Sequence, residues 1–256
     1  MGIDDFTDVW GRVTGVQSAP ALWLVVATGL LALAVVGVRA PWRLARNAVT
    51  IAHEGGHALM ALLTGRQLQG IRLHSDTSGL TVSRGRPTGL GMVLTAAAGY
   101  TAPPLLGLGG AALLASGRIT ALLWGATALL LALLVMVRNA YGVLTVVSAG
   151  SLFVLVSWLT SAEVQALFAY AAVWFLLLGG VRPVFELQRE RRRTRRMPQP
   201  VYGWPQGVPE GSSGLPDSDA DQLHRLTNVP AVGWLLFFHA VALCSLVGGG
   251  TWLLGG

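Results

Sequence analysis

The stretch NAVTIAHEGGHALMALLTG, residues 47–65, is apolar enough to lie in a membrane, yet it carries two histidines and a glutamate near its middle. A charged side chain at the centre of a bilayer costs about 2.5–3.5 kcal/mol on insertion scales, so such groups are usually functional. Apart from Glu163, the first residue of a later apolar run, Glu54 is the only acidic residue inside any apolar run of the chain. On a helix, residues four apart share a face, so His53 and His57 point the same way and can grip one metal ion through neutral imidazoles. Glu54 lies about a hundred degrees round the helix and reaches the open side of the metal without ligating it. This is the HExxH spacing: two zinc ligands and a glutamate that takes a proton from zinc-bound water. The plainer alternative is a satisfied polar cluster between helices. Gly55 and Gly56 together give up about 2 kcal/mol of helix propensity relative to alanine. Either they admit an extended substrate, which makes Gly56 a candidate substrate contact, or they let helices pack closely through small residues.

Working outward, the 256 residues are 53% hydrophobic and 12% charged, where a soluble domain is about 25% charged. The chain reads as an all-α polytopic membrane protein. Apolar runs at 20–38, 43–64, 88–116, 119–137, 140–160, 163–181 and 230–254 give about six or seven transmembrane helices at roughly 20 residues each. The third run contains Pro103-Pro104, which predicts a kink or break there. Between the second and third runs, RQLQGIRLHSDTSGLTVSRG (66–85) alternates around a turn-like SDTSG, the pattern of a small β-hairpin. The expected organisation is a membrane core over 1–181, holding the motif helix 43–64 and the hairpin 66–85. A basic, Pro/Gly-rich soluble loop follows over 182–229, and a C-terminal transmembrane helix over 230–256.

All 18 basic residues are arginine, and seven of them lie between Arg182 and Arg196. One juxtamembrane run holds a loop on the cytoplasmic side or touches anionic lipid, and gives no support to nucleic-acid binding. With a cytoplasmic N-terminus and seven spans, Arg39, Arg43, Arg46 and Arg118 fall outside and the other arginines inside. That arrangement puts the basic loop 182–229 in the cytoplasm, and the Lys-free, Ala/Gly/Leu-rich composition suggests a GC-rich bacterial genome and so a bacterial plasma membrane. The acidic N-terminus does not read as a cleaved signal peptide. The single cysteine, Cys244, excludes an internal disulfide and a multi-cysteine metal cage.

AHEGGHALMALLTG (52–65) resembles the motif helix of the site-2 protease class of intramembrane zinc peptidases, the M50 peptidases, and most of all their compact M50B-like branch. AAAGYTAPPLLG (96–107) is similar to that family's small, Gly/Pro-bearing third segment. SDADQL (218–223), ahead of VPAVGW, looks like the C-terminal part of the branch. The resemblance covers residues 45–110 and 216–254. It implies a membrane-embedded zinc protease acting on membrane-protein substrates in the lipid bilayer, with Glu54 catalytic and His53 and His57 on the metal.

Such a site needs a third protein ligand, which site-2 proteases generally draw from an Asp before a Gly. No Asp-Gly occurs here. Asp219 is the choice, because it sits in the family-like SDA. Asp217, Asp221, His224 and His239 stay open as alternatives. So does the reading in which Ser218 and the aspartates merely cap a helix. Asn139, polar at the start of a span, is a candidate for holding substrate backbone or simply a cap. Two other functions remain. ZIP-family zinc transporters carry His-Glu-x-x-His within a span, but follow it with a further Glu, where Ala58 stands here. A catalytically inactive scaffold of the same family would explain the missing Asp-Gly.

Overall fold

The computed structural model describes residue 11, residues 15–196 and residues 218–255. In chain order the elements are α1 (Leu22–Gly37), α2 (Arg39–Leu63), β1 (Gln67–Leu73), β2 (Gly79–Arg84), α3 (Leu90–Ala115), α4 (Ile119–Met136), α5 (Ala140–Leu159), α6 (Ala162–Arg196), α7 (Asp219–Thr227) and α8 (Ala231–Leu253). The architecture is helical, with one small antiparallel sheet. Asp217, a candidate ligand, lies outside the described residues.

Four helices, α4, α5, α6 and α8, are each long and apolar enough to cross a membrane; α1 and α2 taken together make a possible fifth, bent by 102° at their junction. This is fewer than the apolar runs suggest, for identifiable reasons. Helix α1 has only 16 residues. Helix α2 opens with Arg39, Arg43 and Arg46 before its apolar part begins. Just over half of helix α3 is Gly, Ala and Pro, which dilute its hydropathy, and it buries Ala96, Ala98, Gly99, Pro103, Pro104, Gly107, Gly110 and Ala111. It is the central helix, in contact with α2, α6 and α8. No break occurs at its prolines: α3 runs unbroken from Leu90 to Ala115. Prolines are tolerated in membrane helices whose neighbours pack closely, and Pro104 lies against Gly180 of α6, where a β-carbon would approach to 2.8 Å.

The bend after α1 corrects the expected sidedness of three arginines. Trp42 is buried, and its indole N–H donates to Glu186 Oε1 at 3.0 Å. Arg46 pairs with the same carboxylate at 3.8 Å. The Arg182 guanidinium donates to the carbonyl of Val36 at the end of α1 and stacks over the Trp42 ring. Arg39, Arg43 and Arg46 therefore stand at the same end of the bundle as the 182–196 run, not across the membrane from it. The opposite assignment holds only if α1 and α2 are two successive crossings. At the far end, Val25, Ala111, Leu114, Ile119 and Leu253 share one core cluster, and Gln17 N–H donates to Gly117 O.

β1 and β2 pair antiparallel, with Ile71 opposite Thr81 and an irregularity between Leu68 and Gly70. A short piece of chain after α4 joins the other edge of β1: Val137 bridges Ile71 in parallel, and Arg138 N–H donates to Ile71 O at 2.8 Å. The sheet lies against α2, to which Thr50 and Thr81 tie it. Its inward side chains Ile71 and Leu73 join Ile51, Ala58, Val137 and Val146 in a core cluster. Helix α6 continues through the first part of the basic segment to Arg196 without a break.

Candidate metal centre

Three elements far apart in sequence converge beside α2. His53 and His57, one turn apart, bring their Nε2 atoms to 3.1 Å from each other. Asp219, the first residue of α7, places Oδ2 at 3.3 Å from each of the two nitrogens. Among the described residues, this is the one group of three His, Cys, Asp or Glu side chains placed to hold a metal ion.

The residues fit such an ion. Donor atoms on a tetrahedral zinc ion, bound at about 2.0–2.2 Å, stand about 3.3 Å apart, close to the spacing seen. Asp219 Oδ2 is buried and has no hydrogen-bond partner, an expensive condition for a carboxylate oxygen unless a cation faces it. His57 Nδ1 lies 2.7 Å from the carbonyl oxygen of Thr95, which can only accept. Nδ1 therefore carries the proton of the neutral ring, and Nε2 keeps its lone pair for the metal. Gly99 of α3 leaves the space in front of the two rings: a β-carbon there would overlap both Nε2 atoms, standing 2.6 Å from that of His53. The Tyr100 ring meets His53 edge to face at 4.8 Å between centroids and stacks on Phe238. Thr95, Gly99 and Tyr100 thus present one face of α3 to the cluster, by the i, i+4, i+5 spacing of a helix.

Asp219 and the cap occupy the same few residues without conflict. Ser218 caps α7, accepting from Asp221 N–H at 3.3 Å, and its hydroxyl donates to Asp221 Oδ2 at 2.6 Å. That leaves the Asp219 carboxylate for the histidines. The other candidates turn elsewhere. Asp221 pairs with Arg191 at 2.5 Å. His224 Nδ1 meets Val229 O at 2.9 Å, and His239 Nδ1 meets Leu235 O at 2.8 Å.

Glu54 is 4% exposed. Its Oε2 accepts from Thr81 Oγ1 of β2 at 2.6 Å, and Gly79 opposite is so close that a β-carbon would overlap the carboxyl group. Two further sequence candidates make close contacts within the fold. Gly56 is buried against Ala98 and Ala102 of α3, the close helix contact that small residues allow. Asn139 spends its amide on the end of β1: Oδ1 accepts from Leu73 N–H at 3.1 Å and Nδ2 donates to Leu73 O at 2.7 Å. Sequence reasoning missed Thr81, Thr95, Gly99 and Tyr100. The spacing within TAAAGY was the available signal for the last three.

A helical scaffold with membrane-crossing segments, built round a His-His-Asp cluster beside a buried glutamate, defines the class. The model of the Peptidase M50B-like family matches residues 26–249, and the chain belongs to that family. No curated protein and no solved structure matches it significantly.

Proposed function

We propose that this protein is an intramembrane zinc metalloendopeptidase that cleaves membrane-embedded protein substrates. The observation carrying this reading is the meeting of His53, His57 and the orphaned Asp219 oxygen at tetrahedral spacing. Held by these three side chains, zinc would supply a Lewis acid that polarises a peptide carbonyl and lowers the pKa of water to about 7. Glu54 is the general base: it takes a proton from water and returns it to the leaving amine. It is buried, and the Thr81 hydroxyl holds the carboxylate in one orientation. Thr95 fixes the His57 tautomer.

A helical peptide bond is shielded by its own hydrogen bonds, so the substrate must unwind before cleavage. One edge of β1 is taken by Val137 and Arg138 and the other by β2. The outer edge of β2 is where an unwound substrate strand would add to the sheet. The basic 182–229 segment faces the cytoplasm of a bacterial plasma membrane by the positive-inside rule. Six crossings, by α1, α3, α4, α5, α6 and α8, with α2 turned back at the cytoplasmic end, agree with the contacts at the two ends of the bundle.

The test is Glu54→Gln in purified, reconstituted protein with a panel of single-span substrates. Zinc content should stay at the wild-type level while cleavage falls by about 10²–10⁴. Unimpaired cleavage would remove Glu54 from the reaction.

A further inference from the structure

We propose that Arg191, in the helical extension of α6, is a positioning residue for the metal centre: it clamps α7 to the bundle so that Asp219 stands opposite His53 and His57. The proposal rests on reading that cluster as a metal site. The guanidinium of Arg191 donates to Asp221 Oδ1 at 2.5 Å and to Ser218 Oγ at 3.2 Å. These two residues bracket Asp219 and form the cap of α7. Both contacts are made by Nη1, so one nitrogen of the guanidinium holds the two residues that flank Asp219. The Arg191 side chain is 19% exposed and that of Asp221 34%, so the pair is only partly open to water.

A clamp is needed here for a physical reason. Asp219 Oδ2 has no hydrogen-bond donor of its own. Bringing it out of water to face two imidazole lone pairs is unfavourable until a cation arrives, so something else must hold α7 in place beforehand. Part of the holding is apolar. Ala220 and Leu223 are fully buried, in one cluster with Val184 and Leu187 of α6, Ala96 of α3 and Phe238 of α8. These contacts fasten the inner face of α7. Arg191 fixes its first turn, where the ligand sits. Because α6 is one continuous helix of 35 residues, Arg191 is carried rigidly out of the apolar span. The basic run thereby does more than set the side of the membrane: one of its arginines completes the site.

The experiment uses the full chain in lipid nanodiscs. Arg191→Gln, Arg191→Lys, the exchange pair R191D/D221R and the exposed neighbour Arg192→Gln are compared with wild type. Zinc affinity is read by chelator competition, and hydrogen exchange of residues 218–227 is read in the metal-free protein. Arg191→Gln should weaken zinc binding about 10- to 100-fold, as loss of a ligand-orienting partner does, and speed exchange in α7. Arg191→Lys and the exchange pair should each recover part of the affinity lost in Arg191→Gln, and Arg192→Gln should match wild type. Faster exchange in Arg191→Gln, with no zinc taken up by wild type, would support the clamp and remove only the metal reading. Unchanged exchange in Arg191→Gln would overturn the proposal, as would zinc affinity equal to that of a zinc-binding wild type.

Discussion

Gly99 is the residue on which the metal reading presses hardest. Adding one methyl group there puts a carbon against both Nε2 atoms, while alanine improves helix propensity by about 1 kcal/mol over glycine. Gly99→Ala should therefore abolish zinc binding while leaving the thermal stability of the metal-free protein equal or slightly higher. Gly109→Ala, on the same helix where a β-carbon meets nothing within 4 Å, should bind zinc as wild type does. A Gly99→Ala protein with full zinc affinity would mean that the rings do not hold an ion on that side. At this scale the sequence is uneven in what it discloses. His53 and His57 are legible because a helix turn is local and their spacing states it. Asp219 is reached only through the resemblance of SDA, since neither spacing nor composition ties it to α2. The hydroxyl of Thr81 on Glu54 is not legible at all: it depends on the sheet folding back over α2.

Among elements, the small sheet is legible from its alternation and its turn, but its third edge is not. Asn139 reads as a cap or a substrate contact because it opens a helix. In the structure its amide imitates a peptide group and continues the pairing of β1 at Leu73. Replacing Asn139 by alanine leaves a backbone N–H and a carbonyl without these partners, at a cost of about 1–3 kcal/mol if they stay buried. Hydrogen exchange across β1 and β2 should then quicken, with zinc affinity unchanged and cleavage of membrane substrates reduced. Unaltered exchange would show that Val137 and Arg138 hold the sheet unaided. Helix α2 teaches a related lesson. Its apolar run suggests a crossing, yet the 102° bend and the contacts of Trp42, Arg46 and Arg182 keep its start at the basic end. Periodicity reports how apolar a helix is, not the direction in which its neighbour turns it.

For the whole molecule, the two ends of the bundle differ in charge. Contacts gather the start of α2 with Arg46, Arg138 and the α6 extension at the end that also carries the sheet and α7, and Arg118 stands at the other. The site lies toward the basic end. Thr95 and Gly99 fall within the first ten residues of α3, about 8–14 Å along a helix that rises 1.5 Å per residue. With the basic end cytoplasmic, single cysteines placed at Gln17 and Leu254 of a Cys244→Ser protein should both react with an impermeant thiol reagent from outside the cell. A cysteine at Arg192 should not. Labelling of Gln17 and Leu254 on opposite sides would restore an odd number of crossings and the earlier sidedness of α1.

The most direct measurement is X-ray absorption at the zinc edge on the purified wild-type protein and on Asp219→Ala. The account predicts one zinc per chain, bound by two imidazoles and light oxygen donors, with affinity and coordination altered when Asp219 is removed. A wild-type protein that binds no zinc, or a zinc spectrum and affinity untouched by Asp219→Ala, would contradict it.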